Sequence, residues 1–288
     1  MANLKEIRNR ISSVSSTMQI TSAMKMVSAA KLKKAQDAIT AMRPYANTLS
    51  TLIQNLSSAL EGDFQNPYTQ VRENKKVLLV VITSNRGLCG AFNANIIKKT
   101  RQLIETTYAQ SSVSLITIGK KGSEILLKTG KVQSRHDALL DDLNYENTAQ
   151  MAQSIMDQFA QQEVDEVVFI YNQFKNAATQ IVEVEPFLPI IPNQSDEKST
   201  TQADYIFEPD KVEIVNQLLP KSLKMQLFKA LRDSMASEHG ARMTAMHKAT
   251  DNATELRDQL KLTYNKARQA SITNEILEIV GGAEALNG

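Results

Sequence analysis

Starting at Leu4 and stepping alternately three and four residues, the chain presents Ile7, Ile11, Val14, Met18, Thr21, Lys25, Ser28, Leu32, Ala35, Ile39, Met42, Ala46, Leu49, Ile53, Leu56 and Leu60. That is a heptad seam, apolar at every step except Thr21, Lys25 and Ser28, and it predicts one long helix built to pack against another. Such a helix spans about 85 Å at 1.5 Å per residue, more than a small globular domain can bury. Pro44 lies inside it and is expected to bend it or mark a joint. Where the seam turns polar, a neighbouring stripe turns apolar at Ile20, Ala23, Met24 and Val27. Two readings of that switch stay open: a second face that touches another partner, or a local swivel of the supercoil.

A second helical pattern fills the C-terminal segment from about Lys211 to Ala285, opened by Pro209 and Asp210. Pro220 is expected to leave a shorter helix or a kink before the main run. The expected seam is Ala249, Ala253, Leu256, Leu260, Thr263, Ala267, Ala270, Asn274 and Leu277, with an adjacent stripe at Ile272, Ile276 and Ile279. Gly281 and Gly282 should weaken the helix near its end. Each long helix is the obvious partner of the other, paired antiparallel.

Between them the texture changes. Lys76–Thr83 reads as a buried strand, 93–109 as a helix, Ser112–Ile118 as a strand, and 120–128 and 145–161 as helices. Glu166–Tyr171 reads as a strand and Ile181–Pro186 as an edge strand that the proline ends. Strands alternating with helices predict a mostly parallel α/β sheet of Rossmann-like type. The expected fold is therefore an α/β domain inserted between the two halves of a long antiparallel α-helical coiled coil. The expected divisions are an N-terminal coiled-coil helix over 1–60, the α/β domain over 75–192, a surface loop over 193–208, and a C-terminal coiled-coil helix over 209–288.

Candidate chemistry is sparse. The turn Ser84–Asn93 follows a strand where α/β folds take ligands, but it has neither of the glycine spacings that cradle phosphate. Gly87 and Gly90 are expected to serve a tight turn. Residues 119–123, Gly-Lys-Lys-Gly-Ser, read as another turn into a helix. His136, His239, His247 and Cys89 have no metal-ligand spacing, so no metal and no cofactor is expected. The single cysteine allows no internal disulfide and reads as a small buried hydrophobe. Residues 1–43 carry eight basic and two acidic side chains, a local +6. With no aromatic residue before Tyr45 for base stacking, that charge does not point to nucleic acid. The N-terminus has no apolar signal core and no run approaches a membrane span, so any membrane association is expected through partners.

Five stretches in three parts of the chain resemble one family. Residues 4–14 and 19–32 resemble the N-terminal helix of the gamma subunits of F-type ATP synthases. The turn 86–93, Arg-Gly-Leu-Cys-Gly-Ala-Phe-Asn, is similar to that family's central signature. Residues 237–246 and 264–279 are similar to its C-terminal helix. The resemblance covers essentially the whole chain, in order, and is closest to the bacterial type.

It implies a non-catalytic rotor shaft, one copy per complex. Its partners would be the alpha3beta3 hexamer, the epsilon subunit and the c-ring, on the cytoplasmic face of the bacterial plasma membrane. It also implies that Met24, Lys25, Lys31, Arg268, Gln269, Thr273 and Glu275 meet the beta subunits. Ile272, Ile276 and Ile279 would run in an apolar bearing, and Gly87 and Gly90 would be structural. A lone Cys89 excludes the dithiol switch of chloroplast relatives. Two other readings are an enzyme of flavodoxin-like fold with a pocket at Ser84–Gly90, and a coiled-coil adaptor that forms a homodimer.

Overall fold

The computed structural model describes residues 4–58, 66–73, 75–190 and 211–287. The expected loop 193–208, the seam residue Leu60 and the pair Pro209–Asp210 lie outside the described residues. The elements run α1 (Leu4–Ser58), β1 (Lys76–Ile82), α2 (Phe92–Glu105), β2 (Ser112–Ile118), α3 (Lys120–Leu126), β3 (Val132–Arg135), α4 (Tyr145–Ala160), β4 (Glu166–Phe174), β5 (Gln180–Leu188) and α5 (Lys211–Asn287). The chain divides into two compact units, Met1–Ser28 with Met243–Gly288, and Ala29–Arg242.

In the larger unit a five-stranded sheet has the order β3-β2-β1-β4-β5. The first four are parallel, and β5 closes one edge antiparallel to β4. Because side chains alternate across a strand, β1 feeds two cores. Leu78, Val80 and Ile82 face α4 (Met151, Ile155, Phe159) and α5 (Leu223, Leu227, Leu231). Val77, Leu79 and Val81 face α2 (Ile96, Ile97, Leu103) and Leu126 of α3. A strand buried on both faces must read as an unbroken apolar run, and Val77–Ile82 does. Asn144 opens α4 by accepting the Asn147 N–H at 2.8 Å. At the other end Arg72 donates to the Phe159 carbonyl at 2.9 Å.

Two expectations about proline are corrected. Pro220 does not interrupt α5, which is one helix from Lys211 to Asn287. A helix proline forfeits one backbone hydrogen bond, and here Leu219 and Leu223 on either side are buried in the sheet core and hold the helix through it. Pro186 does not end the edge strand. It pairs with Val168 inside β5, beside a register shift between Val167 and Val168, the kind of place where a strand tolerates a missing donor. Helix α5 also continues through Gly281 and Gly282.

In the smaller unit α1 and α5 run antiparallel. Arg8 Nη2 donates to Tyr264 Oη at 3.3 Å, Thr250 to Thr21 at 2.8 Å, and Lys25 Nζ lies 3.3 Å from His247 Nδ1. The α1 seam stays on the heptad: Ile7 and Ser28 are buried and Ile11, Val14, Met18, Thr21 and Lys25 are half-buried. At the polar gap α5 presents polar partners to Thr21 and Lys25.

The α5 seam differs from the expected one. Leu256 is 43% exposed and Leu277 63%, and Thr263, Ala270 and Asn274 are exposed too. The buried and half-buried line runs Met246, Thr250, Ala253, Arg257, Leu260, Tyr264, Ala267 and Ser271, again in steps of three and four.

Candidate interaction site

Among the described residues of the helical pair, the exposed large apolar side chains other than Leu256 and Leu262 gather in two places. On α1, Ile20, Met26 and Val27 are 60%, 65% and 56% exposed, with Ala23 exposed and Met24 half-buried beside them. A shallow groove of about 380 Å³ is lined there by Met18, Gln19, Ser22, Ala23, Met26 and Thr250. On α5, Ile272, Ile276, Leu277, Ile279 and Val280 are all about half exposed or more. Since Arg8 meets Tyr264, Leu4 stands level with about Arg268. Beyond that level no described residue of α1 accompanies α5. Ile272, Ile276 and Ile279 fall on one helical face at i, i+4 and i+7.

Of the residues singled out from the sequence, Arg268, Gln269, Thr273 and Glu275 are exposed on α5, and Ser271 Oγ lies 3.5 Å from Glu275 Oε1. Lys25 is half-buried in the seam, its ammonium shared with His247. Lys31 is exposed and belongs to the larger unit. Met26 and Val280 were not singled out, and Leu277 was expected in the seam, although each is a large apolar side chain in reach of solvent.

In the larger unit the turn after β1 is held from all sides. Asn93 Oδ1 accepts the Ser84 N–H at 3.0 Å, and Asn93 Nδ2 donates to Ser84 Oγ at 2.8 Å. Asn85 Nδ2 donates to the Asp137 carbonyl and to Asp141 Oδ1, each at 3.0 Å. Gly90 takes φ 60°, but so does the non-glycine Leu88 at 62°, which is 69% exposed. Gly87 has no positive φ, and an added Cβ would meet only Lys121 Cε at 3.9 Å. What Gly87 supplies is its carbonyl, which accepts from Arg242 Nη1, while Arg242 Nη2 donates to the Arg86 carbonyl at 3.1 Å.

The place between β1 and β4 where an α/β sheet would take a ligand is filled from within. Cys89 and Phe92 pack on Ala241 of α5, and Asn172 Nδ2 donates to the Phe92 carbonyl at 3.1 Å. Burial pushes the Cys89 thiol up, away from a reactive thiolate. This filling removes the ground for the flavodoxin-like reading.

The family model described as ATP synthase matches residues 3–286. The chain is 68% identical to the ATP synthase gamma chain of Flavobacterium johnsoniae, with all of both chains covered. The chain belongs to the ATP synthase gamma-chain family. It is also 62% identical to the family member from Christiangramia forsetii, again over the whole of both. Among solved structures it is similar to a chain of the Tetrahymena thermophila mitochondrial ATP synthase central stalk and c-ring. That match has 29% identity and a TM-score of 0.62, covering 80% of this chain and 99% of that one. A chain of the Euglena gracilis mitochondrial enzyme shares the fold at 23% identity, with a TM-score of 0.72 and 98% and 94% covered. No helix among the described residues is long and apolar enough to cross a membrane.

One buried group in this family member titrates far from its ordinary range. Burial, then the Lys31 ammonium of α1 and the Arg242 guanidinium of α5, push His239 down from 6.5 to about 4. Its Nδ1 is buried without a hydrogen-bond partner, so a second ring proton has nowhere to go. Glu238, the carboxylate beside it, is engaged by Arg242 at 2.5 Å. A depressed folded-state pKa stabilises the fold above pH 6.5 and loses that stabilisation as pH falls toward 4. Thermal melts should show wild type losing stability between pH 6.5 and 4 by a margin that His239→Gln lacks. Parallel pH profiles for the two would show that His239 does not titrate this way.

Proposed function

We infer that this chain is the central rotor shaft of an F-type ATP synthase, turned by the proton-driven c-ring and non-catalytic itself. It acts by differential contact: its asymmetric surface favours a different conformation in each catalytic beta subunit as it turns. The observation that carries this reading is the exposed, apolar end of α5 continuing past the described start of α1 in a member of the gamma-chain family. A solitary helix end of that kind is costly to leave in water and calls for a sleeve.

In this reading residues 1–60 and 209–288 make the shaft, and residues 75–192 meet the epsilon subunit and the c-ring. Ile272, Ile276 and Ile279 run in an apolar bearing of the alpha3beta3 hexamer. Arg268, Gln269, Thr273 and Glu275 engage a beta loop. Met24 and Lys31, with Lys25 when it leaves His247, slide past the acidic lever of beta, where positive charge lowers the cost of passing carboxylates. The complex sits at the cytoplasmic face of the bacterial plasma membrane, and this chain reaches the membrane only through it.

The test mixes the purified chain with alpha and beta subunits and follows complex mass and steady ATP hydrolysis. The expected result is one copy per alpha3beta3 hexamer and strongly raised turnover. A folded chain that neither assembles nor stimulates hydrolysis would overturn the reading.

A further inference from the structure

The smaller unit is held together with little apolar seam. The apolar side chains buried in it are Ile7, Met246 and Ala253. Between Met18 and Ser28 several polar contacts cross from one helix to the other. Thr254 Oγ1 lies 3.3 Å and Arg257 Nη1 3.5 Å from Met18 Sδ, Thr250 Oγ1 lies 2.8 Å from Thr21 Oγ1, and Lys25 Nζ approaches His247, which also lies 3.4 Å from Asp251.

We propose that the Thr21–Thr250 pair, backed by Lys25–His247, is the register lock of the coiled coil. It fixes which turn of α1 stands opposite which turn of α5. A seam of small apolar residues such as Ala253 and Ala267 gains nearly the same contact area one turn up or down, so it specifies register weakly. Thr17 and Thr254 stand one turn from Thr21 and Thr250, so a one-turn slip keeps at best one hydroxyl pair, and it breaks the Thr254–Met18 and Lys25–His247 contacts that coincide with the Thr21–Thr250 bond in the native register.

The proton accounting supports a contact that survives small motions. Thr21 Oγ1 lies 3.1 Å from the Met18 carbonyl and Thr250 Oγ1 2.8 Å from the Met246 carbonyl. With two hydroxyl protons, either Thr250 donates to Thr21 and Thr21 to Met18, or Thr21 donates to Thr250 and Thr250 to Met246. Both arrangements satisfy the pair, and neither exists after a one-turn slip. Such a slip would move the Ile20–Val27 stripe along α5 by about 5.4 Å. The lock belongs to the helical pair itself, whatever the pair drives.

The experiment uses the full chain on a Cys89→Ala background, with Ile11→Cys combined in turn with Leu260→Cys, Arg257→Cys or Tyr264→Cys. The rates of disulfide formation report the register. With the native threonines the Leu260 position should react fastest. Thr21→Val/Thr250→Val, which keeps shape and removes the hydroxyls, should cut that preference about fivefold, the worth of one hydrogen bond, with an unchanged or raised melting temperature. Thr21→Ser/Thr250→Ser should restore it. A preference that survives the valines overturns the proposal. A preference lost with valine and not restored by serine also overturns it, because register would then rest on the methyl packing.

Discussion

Arg242→Ala lowers the melting temperature of the larger unit by about 6–10 °C, the equivalent of about 3 kcal/mol. Arg242 is buried, and its guanidinium is fully committed: to Glu238 at 2.5 Å, to the Arg86 carbonyl at 3.1 Å and to the Gly87 carbonyl. Alanine leaves a nearly buried carboxylate and two carbonyls without their donor, and the cost of an orphaned charge exceeds the net worth of the pair. Glu238 is already pushed up by burial, with Arg242 opposing that rise. Without Arg242 it rises further. A carboxyl with a raised folded-state pKa is best tolerated below its unfolded pKa, so the variant's deficit should shrink from pH 8 to pH 5. Glu238→Gln on the Arg242→Ala background should recover part of the loss at pH 8. Urea titrations of the four chains decide it. A deficit independent of pH and untouched by glutamine would mean that packing, not charge, is what Arg242 supplies.

That clamp also marks a limit of what the sequence discloses. The turn residues 86–93 and the segment 237–246 are both conspicuous, yet the bond that joins them spans 155 positions and leaves no periodic trace. What is legible is what repeats. The α1 seam could be counted because its apolar residues are large and regular, and Val77–Ile82 because a strand buried on both faces must be apolar throughout. The α5 seam was misplaced by one residue over part of its length because counting hydrophobicity prefers Leu256 to Arg257. In the structure Leu256 faces out, and the Arg257 guanidinium lies 3.5 Å from Met18 Sδ. Tyr264 is in the seam for a similar reason, with the Arg8 guanidinium 5.9 Å from its ring centroid. Strand β3 went unread because its four residues, Val132-Gln133-Ser134-Arg135, hold one apolar side chain. The exposed stripes at Ile20–Val27 and Ile272–Ile279 were visible as apolar residues off the seam. That most of these side chains are exposed among the described residues needed the structure.

Gly119→Ala is the second substitution expected to unfold the protein readily, at a cost of about 3–5 kcal/mol from backbone strain and overlap together. Gly119 joins β2 to α3 at φ 103°, and a Cβ there would lie 2.4 Å from the Thr83 carbonyl oxygen and 2.7 Å from its carbon. Neither side can yield. Thr83 N–H donates to the Ile118 carbonyl at 2.8 Å, and Thr83 Oγ1 accepts the Gly122 N–H at 2.9 Å. The strands behind them, β1 and β2, are the buried interior of the sheet. The glycine that opens the turn at residues 119–123 is thus required by the close approach of two strand ends. Gly130→Ala separates the two contributions. Gly130 also has a positive φ, 68°, but a Cβ there meets nothing within 4 Å, so it carries the conformational penalty alone, about 1–2 kcal/mol. Chemical denaturation should place Gly130→Ala just below wild type and Gly119→Ala far below it. Equal losses would show that the strand ends can move apart, and that the sheet's C-terminal edge is softer than its hydrogen bonding implies.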